Sequence, residues 1–428
     1  MSTPVSIKYK SHSNQANIIL IVILFILSPF ITLLVALKNY NLSWSKTIVW
    51  FFIAYYGFTF YVAPDSTSDS HYYARELQRM YLIENAIPYF LSYITLSAGF
   101  QDVYQPVISL LVSRFTSDYR YLFALFGMIL GYFYANNVWT LLKKKKLPFD
   151  YFSLLLILVF VFIVSIGAGI NGVRMWTAAH IFIFGAFLYF NQNRTKGLTF
   201  IAMTILVHFS YLFPVLLFIS YLFLHRFKTP LIVYFSIFVL SFFLNVVDFE
   251  LGRTLVSYLP QLYESKASSY VSEATEKRIL ETGTEIKPWF YTYGRLGLKY
   301  GSFILAVFLF FNKRFINANS LAYHLFSFGL LSFGLSNILS YLPSVSRYIT
   351  LSNLFLWAAF FIYYQYNTSR LFKFLIFFIS PGLLLYIAFE MRMVLQYPSY
   401  WLIVGNPFMS SLTESDTNIY QLIALLLK

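Results

Sequence analysis

The chain has 428 residues, of which 59% are hydrophobic, 21% aromatic and 11% charged, and its mean hydropathy is +0.65. No soluble core hides that much apolar surface, so the sequence reads as an all-α polytopic membrane protein, a single transmembrane domain over 1–428. The absence of cysteine excludes disulfides and thiolate chemistry, and basic loops against an inner leaflet explain the net charge of +14 better than nucleic acid does.

Residues 1–15 are polar. The apolar run Asn17–Leu37 is long enough to span and lacks a small-residue cleavage site, so it reads as a retained helix and not a signal peptide. A second span is expected near 47–63. The region 64–118 is less apolar and reads as an outer loop. It holds a polar helical piece, Ser68–Glu84, and two apolar pieces, 89–98 and 104–113, too short to cross and therefore interfacial or re-entrant. A span at 119–142 ends in Lys143-Lys-Lys-Lys146, and spans at 150–170 and 173–190 follow. The run Leu198–Leu224 is interrupted by His208-Phe-Ser210 and Pro214 and reads as one tilted helix or a hairpin of two short legs. Further spans are expected at 230–247, 295–311, 321–342, 347–366 and 371–390, with a polar outer loop at 248–290. The total is about 11–13 transmembrane helices or half-helices with large outer-face loops.

Orientation follows from the lysine run. With 143–146 in the cytoplasm and 198–224 as a hairpin, Arg194/Lys196, Arg226/Lys228, Lys313/Arg314 and Arg370/Lys373 all fall inside as well. A single crossing inverts everything downstream and breaks the rule repeatedly. The same walk places the N-terminus outside and every acid except Asp150 on the outer face. Arginines collect there too: Arg75, Arg79, Arg114, Arg120, Arg174, Arg253, Arg295, Arg347 and Arg392. Topology does not ask for them. Arginine forks match phosphate oxygens, so an anionic, sugar-bearing lipid suits such a face.

Three constellations carry the candidate chemistry. Gly167-Ala-Gly-Ile-Asn-Gly-Val-Arg174 loosens the backbone between two apolar runs and places Arg174 where the chain re-enters the membrane. An arginine at mid-helix costs roughly 2.5–3.5 kcal/mol on insertion scales. An anionic substrate group is one partner that offsets this; snorkelling towards a carboxylate is the plainer one. On a helix starting near Ser68, Asp69, Tyr72 and Tyr73 share a face, where a carboxylate beside tyrosines can align a sugar hydroxyl. Ser68 capping a helix with Asp69 on its dipole is the plainer account. His208, with Ser210 and Tyr211, interrupts an apolar run, as a base or as a packing residue. Arg347 stands at the start of a span, Arg295 borders a loop, and Glu390 and Arg392 are expected to pair. No Gly-rich phosphate loop, HExxH, GxSxG or zinc spacing occurs, so neither metal nor cofactor is expected. Few charges lie along mid-membrane, which argues against a transport path.

Ser68-Asp69-Ser-His-Tyr72-Tyr73, Gly131-Tyr-Phe-Tyr-Ala-Asn-Asn137, Asn171-Gly-Val-Arg174-Met-Trp-Thr-Ala-Ala-His180 and Val207-His208-Phe-Ser210 together resemble the ordered motifs of Wzy-type, EpsG-like bacterial polysaccharide polymerases. The resemblance covers most of 50–225, and Gly405-Asn-Pro407 adds a looser match. It implies a GT-C-like membrane glycosyltransferase that joins oligosaccharide repeat units, each carried on undecaprenyl pyrophosphate, on the outer face of the cytoplasmic membrane. The donor and acceptor lipids, the bilayer, a chain-length regulator and a flippase are the implied partners. On that reading Arg174 and Arg347, assisted by Arg295, hold pyrophosphate. Asp69 and His208 compete as base, Tyr72, Tyr73 and Tyr211 contact sugars, and 248–290 is a lid or acceptor platform. The alternatives are a GT-C transferase adding single sugars, an O-antigen ligase, and a flippase or exporter of lipid-linked sugar.

Overall fold

The computed structural model describes residues 8–63, 68–94, 102–191, 193–244, 249–258, 268, 272–274, 276–277, 288–312, 319–340, 345–413 and 417–426. Among them regular structure is helical, apart from the isolated bridges Phe60–Pro398 and Ser399–Asn418. The first half holds α1 (Lys8–Leu27), α2 (Pro29–Lys38), α3 (Ser43–Phe58), α4 (Asp69–Leu82), α5 (Ala86–Ile94), α6 (Tyr104–Ser113), α7 (Tyr119–Leu142), α8 (Tyr151–Ile163), α9 (Ile166–Asn171), α10 (Val173–Phe190), α11 (Arg194–Val207) and α12 (Leu212–Arg226). The second half holds α13 (Leu231–Leu240), α14 (Phe249–Ser257), α15 (Trp289–Phe311), α16 (Ser320–Ile338), α17 (Ser346–Tyr366), α18 (Arg370–Gln396), α19 (Trp401–Val404), α20 (Pro407–Leu412) and α21 (Ile419–Leu426).

Seven of these stretches are long and apolar enough to cross a membrane: α7, α8 with α9, α10, α12 with the turn before it, α15, α16 and α18. The chain is therefore a multi-pass α-helical membrane protein. Several other expected spans are shorter or broken. The first is interrupted at Ser28, which caps α2, with Pro29 in the first turn. Among the described residues of the span expected at 230–247, ten are helical, Leu231–Leu240.

Aromatic and polar contacts gather several helix ends around the lysine run. Lys145 Nζ donates to Tyr40 Oη, beyond α2, at 2.6 Å, and lies 4.5 Å from the Phe149 ring centroid. Gln365, at the end of α17, accepts the N–H groups of Lys146 and Leu147 at 3.1 Å each. Asp150 caps α8 in a capping box with Ser153, takes the Tyr364 hydroxyl and lies 3.8 Å from Lys373 of α18. These contacts put the C-terminal ends of α2, α7 and α17 and the N-terminal ends of α8 and α18 at one end of the bundle.

The Leu198–Leu224 region is a hairpin. α11 packs against α10 so closely that a β-carbon on Gly185 would sit 2.8 Å from the Gly197 carbonyl oxygen. The chain turns at His208, whose extended backbone ends α11, and α12 returns. Tyr221 and His324 are hydrogen-bonded at 2.8 Å, and His324 stacks on Phe190, the last residue of α10, at 4.6 Å. Arg194 and Arg226 therefore lie towards one end, as does the start of α16. Lys313 and Arg314 lie outside the described residues. At about 1.5 Å per residue, the 14 residues of α11 rise roughly 21 Å against roughly 36 Å for the 24 of α7. The hairpin is accordingly the shorter element, and its tip lies beside the first turn of α10.

The core is mainly apolar, with most of α17 buried from Leu351 to Tyr364, and it also encloses polar side chains such as Asn137, His180 and Asn353. Buried apolar area contributes roughly 25 cal/mol per Å² to a soluble fold, but between helices in lipid the gain comes from close packing. Gly57 and Gly127 let α3 and α7 touch backbone to backbone, and a β-carbon on either would overlap the other helix. The tail is tied to the far end of α3: Tyr61 N–H donates to Tyr397 O and Ser399 N–H to Thr59 O, both at 2.7 Å.

Candidate functional site

The candidate site is organised by Asp102, two residues before α6. Val103 N–H donates to Leu206 O at 3.0 Å and fixes this segment to the end of α11. Because His208 leaves the helix, the Phe209 N–H lacks a helical acceptor, and Asp102 Oδ1 accepts it at 2.7 Å. Asp102 Oδ2 lies 2.8 Å from His208 Nδ1 and 3.1 Å from Arg174 Nη1. Arg174 Nε donates to Tyr73 Oη at 3.1 Å. One buried carboxylate, 4% exposed, thus joins the hairpin tip, the first turn of α10 and, through Arg174, α4.

The electrostatics follow from that geometry. Burial pushes the Asp102 carboxyl up. The His208 hydrogen bond and charge, the Arg174 charge and the Phe209 N–H outweigh burial and hold it below the usual carboxylate range. The Arg174 side chain is 29% exposed and the His208 side chain 16%. His208 Nε2 has no hydrogen-bond partner among the described residues. In the tautomer that donates Nδ1–H to Asp102, Nε2 carries a free lone pair on an oriented ring. That arrangement can take a proton, with a cation beside it for an anion.

The other expected site residues fall into three places. Asp69 opens α4 with Ser68 as its cap, is exposed, and lies within electrostatic reach of Tyr73 and Arg174. Tyr72 is half-buried with its ring 6.0 Å from that of Tyr73. Tyr73 and Tyr211 are fully buried, so neither ring offers a face for a sugar to stack on. Tyr73 packs edge-on against Phe126 at 5.9 Å, and Tyr211 against Tyr348 at 5.9 Å. The Tyr348 hydroxyl donates to Ser210 O at 2.6 Å, which brings the start of α17 to the hairpin tip. The exposed Arg347 is there, within electrostatic reach of Tyr211. Arg295 lies elsewhere, on α15 beside α18, exposed and 4.6 Å from the Tyr291 ring centroid. Among the described residues no contact links it to Asp102. The expected lid at 248–290 lies largely outside the described residues; Arg253 pairs with Glu276 within it.

Arg174 finds its counter-charge in Asp102, so the plainer reading of its partner holds, and a substrate anion would meet the exposed remainder of the guanidinium. Glu390 and Arg392 do not pair. Glu390 is buried beside Ser165, at the break between α8 and α9, whereas Arg392 lies 4.9 Å from the Tyr420 ring centroid. Of the glycines before Arg174, Gly172 does interrupt the helix, standing between α9 and α10, whereas Gly167 acts differently from the loosening first assigned to it. A β-carbon on Gly167 would sit 2.7 Å from the Tyr397 ring and 2.8 Å from the Tyr56 hydroxyl, so this glycine admits close packing. Sequence reasoning missed Asp102. Its signal was an acid isolated between two apolar pieces that cannot cross.

The remaining motif residues tie the site to the bundle. Asn137 Nδ2 donates to His180 O at 2.8 Å, Tyr134 Oη to Val161 O at 2.9 Å, and Lys46 Nζ to Asn136 Oδ1 at 3.0 Å. The third-span motif thus connects α7 to α10, α8 and α3. Comparison with known proteins finds no matching family model, no matching curated relative and no matching solved structure.

Proposed function

We propose that this protein is a membrane-embedded glycosyltransferase of GT-C-like architecture that polymerises undecaprenyl-pyrophosphate-linked oligosaccharide repeat units. On this reading it works at the outer face of a bacterial cytoplasmic membrane, with the lysine run inside. One observation carries the proposal: Asp102 holds His208 with Nε2 unpartnered, beside the partly exposed Arg174. The order of the motifs along the chain supports it as well.

The acceptor hydroxyl oxygen attacks the anomeric carbon of the donor sugar. Its proton passes to His208 Nε2, and the bond from that carbon to the pyrophosphate oxygen breaks with both electrons leaving on pyrophosphate. Arg174 and Arg347 meet the charge that develops on the leaving group. His208 is preferred to Asp69 as the base because a second group orients it, and an oriented base is what this geometry offers. Asp69 and Tyr72, at the exposed start of α4, would then position the acceptor sugar.

The test is a deletion strain carrying wild type, His208→Gln, Arg174→Lys or Asp69→Asn, with the surface glycan resolved on a gel. Loss of the size ladder with one capped repeat unit remaining is the expected result for His208→Gln. A full-length ladder from a correctly inserted His208→Gln protein would sink the assignment. Loss of the first unit as well would point to a ligase, a flippase or an earlier transferase.

A further inference from the structure

We infer that the lysine end of the bundle carries a binding site for an anionic phospholipid, between α12, α13, α15 and α16. A groove of about 710 Å³ opens there. Arg226 and Lys228 stand at its mouth with Tyr323, and Leu231, Ile232 and Phe310 form an apolar wall. Ile232 is half-exposed, so the wall is open from the side.

The charges at this groove are unneutralised, unlike several others at the same end. Lys145 is bonded to Tyr40, Lys46 to Asn136, and Lys373 lies near Asp150. The exposed side chains of Arg226 and Lys228 have no hydrogen-bond or ion-pair partner among the described residues. The turn that presents them is built with care. Lys228 N–H donates to His225 O at 2.9 Å, and the Thr229 hydroxyl donates to Leu224 O at 2.7 Å. Lys228 is also the only non-glycine residue with positive φ among the described residues, at 55°. Glycine takes that conformation without the steric cost a β-carbon brings, yet the position holds a cation.

Two unpaired cations above an apolar wall that opens sideways match one ligand chemistry. A phosphodiester headgroup neutralises the cations while an acyl chain follows Ile232 and Phe310. Basic pockets between transmembrane helices at the positive face are a recurrent way of holding such headgroups. The site is remote from Asp102 and independent of the proposed reaction.

Purified full-length protein in detergent would be titrated with phosphatidylglycerol, phosphatidylcholine of the same acyl chains and inorganic phosphate, with bound lipid read by native mass spectrometry. Phosphatidylglycerol should bind to wild type, and at least tenfold more weakly to Arg226→Gln/Lys228→Gln. It should bind unchanged to Lys196→Gln/Arg370→Gln, which removes the same charge elsewhere. Lys228→Gly keeps the turn and should weaken binding as well, which separates a lost ligand from a damaged fold. Equal losses in the two double variants, equal binding of phosphatidylcholine, or displacement by inorganic phosphate alone would each overturn the proposal.

Discussion

Asp102 and Asp150 stand at different places in the same bundle and look alike on a list of contacts. Each accepts a backbone N–H near a helix start or break, each takes a hydrogen bond from a neighbouring side chain, and each has a cation within 4 Å. Both carboxyls are held below the usual range despite the opposing pull of burial. The difference is exposure. The Asp150 side chain is 39% exposed and Asp102 is 4% exposed. Water can replace what Asp150 loses. Little replaces what Asp102 loses, because the carboxylate itself is shut off from solvent. The same contacts therefore make a helix cap at one site and hold a polar cluster together at the other.

Asp102→Ala should break the comparison most. It strips Arg174 and the Phe209 N–H of their acceptor together, and removing one partner of a buried pair costs about 3–5 kcal/mol. A large fall in the thermal midpoint of the detergent-purified protein, with loss of polymer, is expected. A midpoint within a degree or two of wild type would mean that water reaches the vacated carboxylate position freely. His208→Gln is expected to lose activity and retain the fold, since the base contributes about 10²–10⁴-fold in rate. Single-turnover transfer between lipid-linked repeat units measures it. Arg174→Lys keeps the charge but gives up the fork that reaches Asp102 and Tyr73 at once. A shortened ladder with intact insertion is the expected outcome, and an unaltered ladder would remove Arg174 from the reaction.

Acid should separate the two ends in a graded way. A carboxyl whose folded pKa is lowered contributes stability that is fully present above its unfolded value, about 3.9 for Asp. That contribution declines as pH falls from roughly 5 towards the folded value. Thermal midpoints of wild type and Asp102→Asn should therefore converge as pH drops below about 4. Parallel curves down to pH 3 would mean that the Asp102 carboxyl titrates alike in the folded and unfolded protein.

Spans of strong continuous hydropathy, such as α7 and α10, were legible in the sequence to the residue, because their boundaries coincide with Asp118, Gly172 and the lysine run. The hairpin was legible through charge, since only two legs keep the basic clusters on one side. Arg174 and His208 stood out as polar groups in apolar runs. Asp102 did not, because an acid near an interfacial segment looks solvated until the fold shows what covers it. Tyr73 and Tyr211 misled for the converse reason. A tyrosine beside candidate catalytic residues has the same letter whether its ring faces a sugar or packs inside. Glu390 and Arg392 were paired by proximity along the chain, although residues two apart on a helix do not face each other.

The smallest effect belongs to the exposed aspartate and sharpens the contrast with the buried one. Asp150→Ala removes the cap of α8 and should cost about 0.5–2 kcal/mol. Asp150→Asn keeps a capping oxygen for the Ser153 N–H and gives up the charge facing Lys373 at 3.8 Å and the acceptor of the Tyr364 hydroxyl, at a side chain that water reaches. A partly exposed ion pair at that distance is worth about 0–1 kcal/mol. Asn should therefore recover most of what Ala loses in the thermal midpoint, and polymer length should be normal in both. At Asp102 the same Asn substitution should rescue little, because an amide cannot accept from His208, Arg174 and the Phe209 N–H without turning its own NH₂ towards a donor. Equal rescue at both positions would mean that burial does not distinguish the two aspartates, and the case for Asp102 as the organiser of the site would fall with it.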